Sequence, residues 1–228
     1  EDTAAAAGAA ASLAAGDLIS YYAQAKDKEQ TTSTDMYFIQ VQPFDRRYTQ
    51  SQQMGGAGGG QGGQQQEISQ RQKEIIVSTW NLIREKTESG GAVQDKTRDN
   101  AVLLSDLQNT LSEQARTLSD RTRARQLTST DEQIARFVES LDKAVEAMQP
   151  ASERLAAIDL EQAIQPEQEA LQHLLRAEAV FTDMQVSFQQ GQGGGGSSFR
   201  AGQDLADMFE LEMDLNKNQY ETGGGASG

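Results

Sequence analysis

The chain has no cysteine, which removes disulfides, thiolate nucleophiles and most structural zinc sites and leaves the redox compartment open. It has one histidine, His173, so transition-metal sites of the ordinary kind lack their usual ligands. Aromatic residues are 6% and hydrophobic residues only 36% of the 228 positions, with alanine a large part of the latter. A compact globule ordinarily draws on more large apolar side chains than this, and the expectation is elongated helices with a thin apolar seam. Positive charge is also scarce. The 20 basic residues stand against 34 acidic ones, and the formal charge of −14 repels phosphate backbones and anionic lipid surfaces, so no nucleic-acid partner is expected. No apolar run approaches the roughly 20 residues that a membrane span needs. The opening "EDTAAAAGAAASLAAGDL" has neither a basic n-region nor a leucine-rich h-region, so it does not read as a signal peptide. Starting on Glu1, the sequence reads as a piece of a longer chain, and any membrane anchor is expected upstream.

What is present falls into blocks. Residues 1–48 carry two alternating segments: Ile19, Tyr21, Ala23 and Ala25 share one face of the first, and Tyr37, Ile39 and Val41 alternate with Met36, Phe38 and Gln40 in the second. That period belongs to half-buried antiparallel strands, and "KDKEQTTSTD" between them reads as a long polar connection. Two strands cannot bury a face alone. The phrase "LAAGDLISYYAQAKD" resembles the segment ahead of the penultimate strand in immunoglobulin-like and fibronectin-like domains, with Tyr21 at their corner tyrosine. On that resemblance the hairpin is the C-terminal edge of a sandwich whose other strands lie outside this sequence. The alternative is a free hairpin packed on the helices.

Residues 49–66, "TQSQQMGGAGGGQGGQQQ", and 191–198, rich in glycine, have too little apolar surface to offset the entropy of ordering and read as linkers. Residues 223–228 read as a disordered tail. Between the linkers, 67–190 has helical periodicity and is expected to form helical hairpins or a coiled-coil-like bundle. Ile68, Gln72, Ile75, Ile76, Thr79, Trp80 and Ile83 make one stripe, stopped by Gly90 and Gly91. From about Asp95 to Leu127, Val102, Leu104, Leu107, Leu111, Ala115 and Leu118 form a narrow seam. "TSTDEQIARF" restarts a helix carrying Ile134, Phe137, Val138, Leu141, Val145 and Met148, with Ser129 or Thr130 as cap. Pro150 and Pro166 are each expected to open a further short helix. Residues 199–222 read as an amphipathic acidic helix, with Leu205, Met208 and Phe209 on one face and Asp204, Asp207, Glu210 and Asp214 on the other.

Chemistry is sparse. His173 has only Glu169 one turn away as a partner, and a general base needs more than that. The carboxylates of the acidic helix lack the loop and glycine of a calcium-binding hand. Neither glycine tract ends in Gly-Lys-Ser/Thr, and no Gly-x-Ser-x-Gly elbow occurs. No enzyme, cofactor or metal is expected. The expectation is a structural or interaction module with protein partners, self-association included, acting through Leu104, Leu107, Leu111, Leu118, Leu205, Met208 and Phe209. A regulatory domain that senses a cation or ligand at the acidic helix is the alternative.

Taken together, "SYYAQAKD", "DMYFIQVQPFDRRY", "EISQRQKEIIVSTWNL", "ALQHLLRAE" and "DLNKNQYET" resemble a bacterial family of unknown function, across most of residues 16–222. The resemblance implies a large envelope protein with transmembrane helices near its N-terminus, an exported middle and a helical C-terminal part. It further implies genes near those for MoxR-type ATPases and von Willebrand factor A domain proteins, a periplasmic or otherwise extracytoplasmic location, and no catalytic residues to carry over.

Overall fold

A computed structural model describes residues 13–27, 31–41, 65–91, 93–124 and 132–190, and for 65–67 and 184–190 the backbone alone. The chain is mainly helical, with two small antiparallel strand pairs ahead of α1 (Gln65–Glu88), α2 (Asp95–Ala124), α3 (Glu132–Ala156) and α4 (Leu160–Gln190). Each helix packs on its neighbours in chain order, and α4 closes the ring against α1. Cross-helix hydrogen bonds run in opposite senses along each pair. Thr79 donates to Glu167 and Lys86 to Glu161 across α1 and α4, and Ser105 donates to the Ser152 carbonyl and Ser119 to Asp142 across α2 and α3. The result is an up-down-up-down four-helix bundle.

Helix ends follow local chemistry. Gly90 and Gly91 have φ of 72° and 87° and stop α1, the Gly91 N–H reaching the Lys86 carbonyl at 2.8 Å and the Gly90 N–H that of Thr87 at 3.1 Å. This pair of bonds is the Schellman closure, which needs a left-handed residue that glycine adopts without strain. The end of α3 repeats the closure without glycine. The Asp159 N–H reaches the Arg154 carbonyl and the Ile158 N–H that of Leu155, both at 2.9 Å, with Ile158 at φ 62°. A β-branched residue there costs about 1–2 kcal/mol, which packing of Ile158 on the main core offsets. Asp159 then accepts the N–H groups of Gln162 and Ala163 and begins α4.

The two prolines do not open helices: Pro150 lies inside α3 and Pro166 inside α4. Each removes one backbone bond to the carbonyl four residues earlier. The residues there, Glu146 and Gln162, are exposed, so water can satisfy those carbonyls while the apolar stripe runs on past the proline on the opposite face. Burial also redraws the α2 seam. Leu104, Leu111, Ala115 and Leu118 face inward as expected, but Val102 and Leu107 are 46% and 43% exposed. Ala101, Ser105 and Gln108 hold the inward positions instead.

The core is fuller than the composition suggests. Large residues such as Phe137, Phe181, Ile134 and Met148 are filled in by Ala144, Ala147, Ala163 and Ala170, which let helices approach closely. Polar residues complete it: Gln72 and Gln108 exchange reciprocal amide bonds of 3.0 and 2.8 Å at full burial.

Ahead of the bundle, β1 (Leu18–Tyr21) pairs antiparallel with β4 (Tyr37–Gln40), and β2 (Gln24–Lys26) with β3 (Thr31–Ser33). The segment expected to be a loop therefore continues the ladder. In β1–β4 the partners include Tyr21 and Tyr37, and in β2–β3 Gln24 faces Ser33, so residues 22–23 oppose 34–36. One extra residue on the second strand is a β-bulge, which bends the hairpin between its two halves. Thr34 holds it, its N–H donating to the Ala23 carbonyl at 2.9 Å and its Oγ1 accepting the Ala23 N–H at 3.0 Å.

Candidate functional site

One face of the hairpin is clamped to α1 and α4. Met36 is buried with Ile76, Trp80, Leu171 and Leu175, and Leu18 and Phe38 pack beside them. The bulge supplies polar anchors: the Trp80 indole N–H donates to the Thr34 carbonyl at 2.9 Å, and Arg84 pairs with Asp35. At the other end Asp17 accepts from the Ala14 N–H at 2.8 Å, from Arg176 at 2.9 Å and from Gln172 at 3.3 Å. The Ala14 N–H first, and the Arg176 guanidinium after it, hold the Asp17 carboxyl below the usual aspartate range. Gly16 sits against α4 at φ 89°, and a Cβ built there would lie 2.8 Å from Arg176 Cα.

The opposite face is open. Ile19 lies across from Ile39 and Tyr21 across from Tyr37, and these four side chains are 43–51% exposed. The tyrosine rings stack with centroids 5.5 Å apart. Within the described residues the β1–β4 sheet has two strands, so its outer edges carry no ladder partner there. Single exposed apolar side chains are ordinary; four in register on one strand pair form a patch of the kind that covers another surface.

Two concave regions flank the clamp and the bundle. A cleft of about 630 Å³ lies between hairpin and bundle, walled by Tyr22 and Trp80, whose rings tilt together at 4.3 Å, with Arg84, Glu88, Glu161 and Gln168 around it. A groove of about 410 Å³ runs between α1 and α2, floored by Ile75, Leu104 and Leu111, with Leu107 on its rim. Arg71 donates to Gln114 across one end of it at 3.3 Å.

The residues singled out from the sequence are thus divided. Leu104, Leu111 and Leu118 are buried in this chain's own core, and Leu107 is exposed. Leu205, Met208 and Phe209, and the acidic Asp207, Glu210 and Asp214, lie outside the described residues. His173 is half-buried, and burial first, then Arg176, pushes its pKa below the usual histidine value. Sequence reasoning missed Glu167. It is fully buried, receives the Thr79 hydroxyl at 2.8 Å on Oε1, and its Oε2 has no hydrogen-bond partner. Burial pushes its carboxyl up to about 8. The signal was its spacing: position 167 stands on the inward stripe with Ala163, Ala170 and Leu171. Among the described residues no cluster of three or more His, Asp or Glu could hold a metal ion, and no helix is long and apolar enough to cross a membrane.

Fold and surfaces define a four-helix bundle that carries a clamped β-hairpin with one apolar face turned outward. The chain belongs to the family described as "Domain of unknown function (DUF4175)", whose profile matches residues 23–209. Neither curated proteins nor solved structures include a significant match to it.

Proposed function

We propose that the chain is a non-catalytic protein-interaction module of a membrane-anchored bacterial envelope protein, and that its docking face is the outer side of β1–β4. The observation that carries this is the register of Ile19 with Ile39 and Tyr21 with Tyr37, half-exposed, on a strand pair whose inner side is already clamped. The occupant in this reading is further strands of an immunoglobulin-like sandwich, contributed by the same protein upstream of the bundle. Strand edges without ladder partners supply main-chain bonds, and the apolar face supplies a half-core. The envelope setting, the upstream anchor and an assembly or chaperone-like role beside MoxR-type ATPases and von Willebrand factor A domain proteins are supported by the motif resemblance alone.

Amide hydrogen exchange tests the docking face. Amides of β1 and β4 should exchange at least about tenfold more slowly in the longer envelope protein than in residues 1–228 alone, since pairing and burial protect them. The double variant Tyr21→Ser/Ile39→Ser should lose that gain while keeping its helical content. Equal exchange in the two contexts would overturn the reading.

A further inference from the structure

We infer that the groove between α1 and α2 is a docking site for the chain's own C-terminal segment, whose Leu205, Met208 and Phe209 enter it as one apolar stripe. The groove is built but unfilled by the described residues. Its floor leucines, Leu104 and Leu111, span seven positions of α2, about 10 Å at the helical rise. Leu205, Met208 and Phe209 recur at the three- and four-residue spacing of a single helical face over about 6 Å, short enough to lie within that floor. Leu107, otherwise a large apolar residue in water, lies on the rim where such a helix would cover it.

Geometry permits the return. Ser69 of α1 hydrogen-bonds Glu178 of α4, which sets the two helices level at that point. From there α4 continues to Gln190, roughly 18 Å further along. The centre of the groove, near Ile75, lies roughly 9 Å the other way, and the width of a helix adds about 10 Å. The stretch 191–204 extends to as much as roughly 45–50 Å, comfortably more than the required span of about 30 Å. The family match gives an independent pointer. It does not end with the bundle but runs past the glycine tract and stops at Phe209, so the unit that recurs in the family includes this apolar stripe. The contact is intramolecular and separate from the strand-face reading; either can fail alone.

A cysteine-free chain makes the test clean. Leu107→Cys/Met208→Cys is oxidised in dilute solution beside a control, Glu139→Cys/Met208→Cys. Glu139 is an exposed residue of α3, close to Phe137, which touches Phe181 of α4. It therefore lies nearer the end of α4 than the groove does, and a mere tether would reach it at least as readily. Docking predicts that the Leu107 pair forms an intramolecular disulfide about tenfold faster than the control or more, and that adding Leu205→Asp and Phe209→Asp abolishes the difference. Equal rates would overturn the inference. So would a product linked between two chains, which would make the groove an interface between copies.

Discussion

Glu167 concentrates the bundle's electrostatic tension in one side chain. A carboxyl held up at about 8 in the folded state against an ordinary value of 4.5 keeps its proton through neutral pH, while the unfolded chain releases it. Between those values the folded state binds more protons, so stability falls as pH rises, by up to about 1.4 kcal/mol per pH unit, and levels off above the folded value. Glu178, also raised by burial, acts with the same sign. His173 opposes on the acid side. Its lowered value gives stability that is present above its ordinary 6.5 and lost as pH falls below it. The clean window is therefore about pH 7 to 8, where wild-type Tm should decline. Glu167→Gln, uncharged and of equal size, should flatten most of that slope and raise Tm at pH 8. A slope unchanged by the substitution, in thermal melts across this window, would show that Glu167 is ionised at neutral pH. Gly16 makes a second single-residue prediction. Gly16→Ala combines a positive φ with a 2.8 Å approach to Arg176 Cα, so it should loosen the clamp by about 1–3 kcal/mol. Trp80 fluorescence should shift toward that of exposed tryptophan while helical circular dichroism persists.

Elements were legible where hydrophobic period and backbone chemistry agree. The α1 stripe from Ile68 to Trp80 and its stop at Gly90 and Gly91 follow from both. They were misread where the two conflict. Pro150 and Pro166 look like boundaries, yet the inward stripe of α3 continues through Met148, Ala151 and Leu155 without a change of phase. Burial of that stripe outweighs one lost backbone bond on the solvent side. The real break, at Ala157–Asp159, contains no glycine or proline, and only packing of Ile158 selects it. In α2 the seam was traced through apolar letters, and Gln108, Ser105 and Ser119, which face inward by position, were invisible to that reading. The β2–β3 ladder, all small or polar, offers no alternation of hydrophobicity. With the inward stripe unbroken across it, Pro150 is tolerated and not required. Pro150→Ala should restore the bond to the Glu146 carbonyl and raise stability by about 1–3 kcal/mol, measured as a shift in the denaturant midpoint. A loss of stability would mean that α3 depends on a bend at this proline.

At the scale of the molecule, the contacts divide into two layers with a one-way dependence. The main core, centred on Phe137, Phe181, Leu118 and Leu155, contains no hairpin residue, whereas among the described residues the hairpin's apolar side chains that pack on the helices belong to the second cluster around Met36, Ile76 and Trp80. Removing the hairpin leaves the bundle its core; removing the bundle leaves the hairpin none. Unfolding should then proceed in two steps. Met36→Ala deletes the one hairpin side chain fully seated on the helices, a change worth about 2–5 kcal/mol where the site cannot collapse. It should bring the Trp80 fluorescence transition to lower denaturant and leave the helical transition nearly in place. Phe137→Ala, which opens a cavity between α3 and α4 where it meets Phe181, should move both transitions together by about 3–5 kcal/mol. If Met36→Ala shifted the helical transition as far as the tryptophan one, hairpin and bundle would unfold as one unit. The outer strand face could then recruit no further polypeptide without the helices responding, and the clamp would be a conduit between docking face and bundle.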